Sequence, residues 1–246
     1  MKNLILCEGS TDGILLQYFM RKVHQWQDGK NNGTLFRSSA SWYRTLNKGN
    51  RRLDIASCKG SSALTSNLEL VLDNNYNATL EEAYKKIAIV TDRDEVVTEN
   101  HFLQDVSQIL SKHNVNVTGG LAHNKWNTCK YITSTGRNRD MELLILVIPF
   151  AQTGAMETFL LDCISAKEPY DQQIIQAGNS FVDNVDSQRK YLTKRRYITK
   201  AKFDVYFSVR TAAEQFVQRQ NILKDVEWEK YIDIQGDFAL FSGFDN

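Results

Sequence analysis

The chain has 246 residues, and its 30 Lys and Arg against 29 Asp and Glu give a net charge of +1. Hydrophobic residues make up 42% and charged residues 24%, as in ordinary globular proteins, and the length allows one large domain or a domain with an appendage. The balanced charge by itself indicates neither a nucleic-acid partner nor a membrane partner. The longest apolar run, 143–149, is too short to span a membrane, and the N-terminus lacks the apolar region of a signal peptide.

The four cysteines indicate a reducing compartment. None belongs to a Cys-x-x-Cys motif, and Cys7 and Cys163 stand in strongly apolar surroundings. Such cysteines are typical of thiols that serve as small core residues. We therefore expect a cytoplasmic protein that makes no membrane contact.

The predicted elements alternate between strands and helices along the chain. Apolar runs predict strands over 3–7, 53–58, 87–91, 115–117 and 141–148. Apolar residues at helical spacing predict helices that start near residues 10, 61, 102 and 156. The polar stretch 26–52 is predicted to be a long loop or a hairpin insertion, and 119–140 a loop. Beyond residue 166 the strand signal disappears, and helices are predicted, including one over 203–222.

This alternation predicts an α/β fold in which helices sandwich a parallel sheet. Residues 1–165 are predicted to form that domain, and residues 166–246 a smaller, mostly helical C-terminal region. In parallel sheets, ligands bind at the carboxyl ends of the strands.

Acidic residues follow two of the apolar strands at that end. Glu8 and Gly9 end the first strand, with Asp12 one helical turn further on, and Asp92 and Asp94 follow the strand over 87–91. A carboxylate at the end of a buried strand costs free energy unless a cation meets it. Oxygen ligands on short side chains suit Mg²⁺ or Mn²⁺. Taken singly, each motif would be interpreted as a helix start or a solvated turn.

Together the two motifs closely resemble the Toprim domain. Glu8-Gly9-x-x-Asp12 and Asp92-x-Asp94 match the order and strand context of that metal-binding domain of topoisomerases, DnaG-type primases, small ribosomal RNA maturases and OLD (overcoming lysogenization defect) nucleases. The four-residue step from Glu8 to Asp12 is most similar to the OLD version, as is Glu157 after the strand over 141–148. Glu157 is equally well interpreted as a first-turn acid favoured by the helix dipole. The resemblance covers roughly residues 1–165.

The resemblance implies a site and a chemistry. Glu8, Asp92 and Asp94 would hold one or two Mg²⁺ or Mn²⁺ ions, and Asp12 and Glu157 would contribute to a second ion. A lysine from the C-terminal part neutralises the phosphate in related nucleases, and Lys200 and Lys202 are the two candidates for this catalytic role. No Gly-x-x-x-x-Gly-Lys-Ser/Thr motif occurs, so any ATPase would be a separate subunit.

A basic segment, Arg189–Lys202, is the candidate for nucleic-acid contact. It contains no Asp or Glu, and Tyr191 and Tyr197 lie among its cations, a composition that suits phosphate contact with base stacking. A solvated helix face or a surface for an acidic partner would have the same composition. Its seven cations are Arg189, Lys190, Lys194, Arg195, Arg196, Lys200 and Lys202. A looser second patch consists of Arg44, Lys48, Arg51 and Arg52.

Other candidate chemistry is weaker. His123–Asn127 superficially resembles an HNH nuclease motif, but it lacks a second histidine and zinc-supporting cysteines, so we interpret it as an ordinary loop. Cys7 has no histidine partner in the sequence pattern and is interpreted as a structural thiol. Four aromatic residues are interpreted as core packing rather than a base-stacking platform: Phe203, Tyr206, Phe207 and Phe216.

The sequence thus predicts a Mg²⁺-dependent nuclease that hydrolyses phosphodiester bonds of DNA or RNA, as the effector of an antiviral defence system with a separate ATPase. The alternative is a non-catalytic Toprim-like scaffold that binds nucleic acid or an ATPase partner. A primase-like nucleotidyl transferase ranks third, because the supporting domains are absent. A homo-oligomer is left open.

Overall fold

The computed structural model describes residues 1–30, 35–36, 38–212 and 226–245. The strands are β1 (Lys2–Cys7), β2 (Gln27–Asp28), β3 (Trp42–Lys48), β4 (Arg51–Ser57), β5 (Tyr84–Asp92), β6 (Asn116–Val117), β7 (Trp126–Ile132) and β8 (Asn138–Ile148). The α-helices are α1 (Ser10–Lys22), α2 (Ser61–Asn77), α3 (Thr98–Lys112), α4 (Met156–Lys167), α5 (Pro169–Val185), α6 (Arg195–Arg210) and α7 (Ile232–Asp237). Short 3₁₀ helices cover Trp228–Lys230 and Ala239–Asp245.

The strands form one sheet in the order β2-β3-β4-β1-β5-β8-β7-β6. The four central strands, β4, β1, β5 and β8, run parallel, and an antiparallel pair extends each edge. The prediction of an α/β fold with a parallel central sheet is confirmed. The carboxyl ends of β1, β5 and β8 therefore lie side by side at one end of the strands.

Helices cover both faces of the sheet because its central strands are apolar on both sides. In β1, Ile5 and Cys7 pack into one hydrophobic cluster, and Leu4 and Leu6 pack into another on the opposite face. Residues of α1, α4 and α6 join the first cluster, and residues of α2 and α3 join the second. The helix predicted to start near residue 10 begins at Ser10, after Gly9 in an extended conformation.

The prediction of a loop over 119–140 was wrong. This stretch contains β7 and the first residues of β8. Along β7, Asn127, Cys129 and Tyr131 are buried, and the residues between them are exposed. Such a strand, covered on only one face, carries polar residues at alternate positions and lacks the continuous apolar run of a central strand. The stretch 26–52 contains β2 and β3, so the hairpin alternative is confirmed.

The C-terminal residues share the first hydrophobic cluster with the N-terminal part. Phe238 packs edge-to-face on Phe19 of α1, at a ring distance of 5.2 Å, and Phe241 and Phe244 are fully buried in the same cluster. Residues on both sides of the predicted boundary at 165/166 thus contribute to one core.

The interpretation of Phe203, Tyr206 and Phe207 as core residues is confirmed by their burial on α6. Phe216, and the predicted helix beyond residue 212, lie outside the described residues. All four cysteines are buried and unpaired, as expected for core thiols. No helix in the described ranges has the length and apolarity needed to cross a membrane.

Candidate functional site

Glu8 lies where β1 ends beside β5. Because the two strands are parallel neighbours, with Cys7 level with Val90, Glu8 faces the residues that end β5. The Thr91 hydroxyl donates to Glu8 Oε2 at 2.9 Å, and the Asp92 N–H donates to the same oxygen at 3.3 Å. The end of β5 therefore fixes the first carboxylate.

Asp12 lies in the first turn of α1 and is 5% exposed. The Gly9 N–H donates to Asp12 Oδ2 at 2.7 Å, which supports the start of the helix. The strand-to-helix turn after β1 thus brings Glu8 and Asp12 to the same end of the sheet.

Asp92 joins β5 to the start of α4. The Met156 N–H donates to Asp92 Oδ1 at 3.0 Å, and the next residue, Glu157, is 4% exposed. The neighbouring strand β8 delivers α4 to this position, since Asp92 is level with Ile148. The charge of Glu157 raises the pKa of both Asp12 and Asp92, so its carboxylate lies within electrostatic reach of the two.

Asp94 occupies the rim of the site. Its side chain is exposed, and its main-chain carbonyl accepts a hydrogen bond from the guanidinium of Arg195 on α6. Its negative charge nevertheless acts on Glu8, because it contributes to raising the pKa of that residue.

Three carboxyl groups of the site, those of Glu8, Asp12 and Asp92, have pKa values above their ordinary range. Burial, and then the charges of Glu157 and Glu8, raise the pKa of Asp12 from 3.8 to about 8. Burial and the charges of Asp12, Glu8 and Glu157 raise the pKa of Asp92 well above its usual range. Burial also raises the pKa of Glu8. Glu8, Asp12, Asp92 and Glu157 thus lie within electrostatic reach of one another, and we call these four residues the acidic cluster.

The donor chemistry of the acidic cluster fits a divalent cation. All its donors are carboxylate oxygens, which suit Mg²⁺ or Mn²⁺. As the side chains stand, no group of three or more His, Cys, Asp or Glu within the described residues is placed to hold a metal ion. Asp12 and Asp92 instead face the N–H groups of Gly9 and Met156.

The structure distinguishes the two candidate lysines. The charge of Lys200 lowers the pKa of Asp12, against the larger effect of burial, so its ammonium group lies within electrostatic reach of the acidic cluster. Lys202, two residues further along α6, pairs with Asp183 of α5 at 2.8 Å. Lys200 is therefore the lysine of this pair that the fold directs toward the site.

The basic segment is mostly exposed and begins in a turn organised by one carboxylate. Asp186 accepts hydrogen bonds from the N–H groups of Lys190, Tyr191 and Leu192. Six of the seven cations of the basic segment are exposed: Arg189, Lys190, Lys194, Arg195, Arg196 and Lys200. Because Arg195 donates to the main-chain carbonyl of Asp94, this surface adjoins the rim of the site.

The second basic patch is largely paired with acids. Arg44 pairs with Asp28 at 2.8 Å, and Lys48 with Asp245 at 2.8 Å. Arg52 pairs with the fully buried Asp54 at 2.9 Å. These contacts hold the β3–β4 hairpin and the C-terminal segment in place, and none of them involves the acidic cluster.

Sequence reasoning did not identify Thr91, which fixes Glu8. A hydroxyl residue at the last buried position of an otherwise apolar strand was the available signal. It also did not identify Arg93, which stands between Asp92 and Asp94 in the sequence and whose side chain is buried. An Arg in an acidic turn is normally solvated, so its burial depends on the tertiary structure.

Comparison with known proteins places the chain in a family. The family described as "Protein of unknown function (DUF3226)" matches residues 2–234. The crystal structure of hypothetical protein PH0156 from Pyrococcus horikoshii OT3 has a TM-score of 0.54 at 15% identity, covering 100% of this chain and 99% of that chain, which shows a shared fold. Among curated proteins, none matches the chain. Because the family match spans nearly the whole chain, the protein belongs to the DUF3226 family.

Proposed function

We propose that this protein is a metal-dependent nuclease of the Toprim type. The observation that supports this most directly is the acidic cluster itself. Its four carboxylates, one after β1 and the others in α1, β5 and α4, lie at the carboxyl ends of parallel strands, and burial and mutual repulsion raise the pKa values of Asp12 and Asp92. A divalent cation would relieve that repulsion and compensate the desolvated charges.

The residues that would hold the metal are Glu8, Asp92 and Asp94, with Asp12 and Glu157 as contributors to a second ion. A divalent cation bound there would activate a water molecule for attack on a phosphodiester and stabilise the leaving oxygen. The hydrogen bonds from Thr91 and Met156 orient Glu8 and Asp92 before any ligand arrives.

The cations of α6 would bind the substrate backbone. Lys200 lies within electrostatic reach of Asp12 and would balance the negative charge of the phosphate under attack. The exposed cations of the basic segment would contact neighbouring phosphates, and Tyr191 and Tyr197, both exposed, could stack on bases.

The non-catalytic scaffold remains the second candidate, and one observation favours it. Asp12 and Asp92 already accept hydrogen bonds from backbone N–H groups at the starts of α1 and α4. In a scaffold, the role of Asp12 and Asp92 would be to stabilise these two helix starts, since helix N-termini favour negative charge. The basic segment would then bind nucleic acid or an acidic surface without cleavage.

The biological setting is proposed on the resemblance alone. The likeness to OLD nucleases supports an effector of anti-phage defence, and the missing nucleotide-binding motif supports a separate ATPase subunit. The buried, unpaired cysteines support a cytoplasmic location.

The test is cleavage by the purified protein of supercoiled plasmid, single-stranded DNA and structured RNA, with Mg²⁺ or Mn²⁺. Loss of a residue that only supports a metal ligand typically lowers activity about 10–100-fold. Glu8→Gln and Asp92→Asn each change a proposed ligand, so we expect each to lower the cleavage rate by more than that. Asp105→Asn, which neutralises an exposed acid of α3, is the matched control and should cleave normally.

Two results would contradict the nuclease. One is the absence of cleavage and of a metal-induced rise in melting temperature, with and without a candidate ATPase. The other is cleavage that Glu8→Gln and Asp92→Asn leave unchanged, which would indicate a contaminating enzyme. Nucleic-acid binding without cleavage would support the scaffold.

A further inference from the structure

We propose that Arg93, whose guanidinium pairs with Glu99, is a positioning residue that sets the metal affinity of the site. This inference rests on the proposed function, because it concerns the same site. Arg93 separates Asp92 from Asp94 in the chain, and it is 9% exposed. A side chain so buried is poorly placed to contact a nucleic acid, so we assign its effect to the acids on either side.

Arg93 ties the end of β5 to the loop after β8 through main chain and side chain. Its N–H donates to the Ile148 carbonyl at 2.6 Å, and its own carbonyl accepts from the Gly154 N–H at 2.8 Å. Its Nε donates to the Pro149 carbonyl at 2.7 Å. Three bonds thus fix this residue against the segment that leads to α4 and Glu157.

The guanidinium is in turn held by α3. Arg93 Nη2 lies 2.7 Å from Glu99 Oε2, in the first turn of that helix. His123 Nδ1 lies 3.5 Å from the same oxygen, and His123 Nε2 accepts the Val147 N–H at 3.0 Å. Because Nε2 is an acceptor, the proton of the neutral ring is on Nδ1, where it faces Glu99. Burial lowers the pKa of His123, which favours this neutral form.

These contacts explain how Arg93 would act on the metal site. The peptide that follows β5 carries Asp92 and Asp94, and its geometry depends on where Arg93 is anchored. Asp92 accepts a hydrogen bond from the Met156 N–H, and Arg93 donates one to the Pro149 carbonyl. Both residues therefore contact the segment that runs from the end of β8 to the start of α4. Replacement of the side chain would keep the two main-chain bonds but lose those to Pro149 and Glu99. The link between the end of β5 and the segment that leads to α4 would loosen, which would weaken metal binding without removing a ligand.

The experiment measures Mn²⁺ binding by titration calorimetry and the Mg²⁺ concentration for half-maximal cleavage, in variants whose melting temperatures are recorded. We expect Arg93→Gln to weaken Mn²⁺ binding about 10-fold or more, and Arg93→Lys, which keeps the charge but not the fork, to fall between it and wild type. Glu99→Gln keeps an acceptor for Arg93, so it should weaken Mn²⁺ binding less than Arg93→Gln does. It also tests the proposal if Arg93→Gln does not fold.

Arg139→Gln is the matched control. Arg139 also donates to backbone carbonyls, those of Ala78 and Thr79 at 2.9 and 3.1 Å, but it lies near the start of β8, away from the acidic cluster. Its loss should leave Mn²⁺ binding unchanged. If Arg93→Gln and Glu99→Gln bind Mn²⁺ as tightly as wild type, the positioning role is overturned while the nuclease stands. If wild-type protein binds no Mn²⁺, both proposals are overturned.

Discussion

Individual acids show how far residue identity alone determines the site. Glu8, Asp12 and Asp92 were predicted to share one edge of the sheet, and they do, because each follows or ends a parallel strand. Glu157 could be assigned to the cluster only when β8 was seen to lie beside β5. Asp94 is exposed at the rim, although the resemblance implied the same metal-binding role for it as for Asp92.

The raised pKa of Asp12 predicts that the metal-free protein loses stability as the pH rises. A carboxyl that binds its proton more tightly when folded destabilises the fold as pH rises from its ordinary value of 3.8 toward about 8. Asp12→Asn removes this charge and retains an oxygen for the Gly9 N–H. In EDTA at high pH, we expect this variant to exceed wild type in free energy of unfolding by more than about 1.4 kcal/mol, the value of one pKa unit.

Urea unfolding of both proteins across the range from about pH 5 to about pH 9 checks the sign, since the advantage of Asp12→Asn should shrink as Asp12 becomes protonated at low pH. Added Mg²⁺ should stabilise wild type more than Asp12→Asn. A constant difference across the range would show that Asp12 is not protonated in the folded state, and would contradict this prediction.

Among the elements, α6 joins the core to the candidate site. Phe203, Tyr206 and Phe207 bury one face of this helix, as the apolar spacing predicted. That packing decides which cations face the acidic cluster: Lys200 acts on Asp12, while Lys202 is engaged by Asp183. Composition could not separate two lysines only two residues apart, because their partners come from other helices.

The orientation of α6 predicts a difference between these two lysines. If the protein is a nuclease, Lys200→Met should lower the rate of cleavage about 100-fold, the scale for loss of one charge-stabilising donor. Lys202→Met should stay within a few-fold of wild type, since its partner Asp183 lies outside the acidic cluster. Single-turnover rates at saturating substrate are the measurement. Equal losses in both variants would mean that the two cations act only as general phosphate contacts.

At the scale of the whole molecule, the core does not follow the predicted boundary at 165/166. One hydrophobic cluster combines Phe19 of α1, Leu160 of α4, Tyr206 of α6 and Phe241 near the C-terminus. Trp126 of β7 also donates from Nε1 to the Leu240 carbonyl at 2.9 Å. These contacts connect the C-terminal segment to the sheet itself.

This shared core predicts cooperative unfolding. Phe241 is fully buried, so Phe241→Ala should cost about 3–5 kcal/mol, as for other buried aromatic residues. Because the cluster is shared, far-UV and near-UV circular dichroism should report one common transition that shifts to lower temperature. A separate early transition in the variant, with the sheet still intact, would show instead that the C-terminal region unfolds alone.

The sequence by itself determined the α/β class, the central strands and the end of the sheet where the acids gather. Continuous apolar runs and the polar residues that end them are local features, and parallel pairing then aligns their carboxyl ends. Only the tertiary structure decided four features: the strand β7, the effect of Glu157 on Asp12 and Asp92, the different partners of Lys200 and Lys202, and the burial of Arg93. Each of these depends on contacts between residues distant in the chain, and the local pattern around each residue was equally compatible with a solvated position.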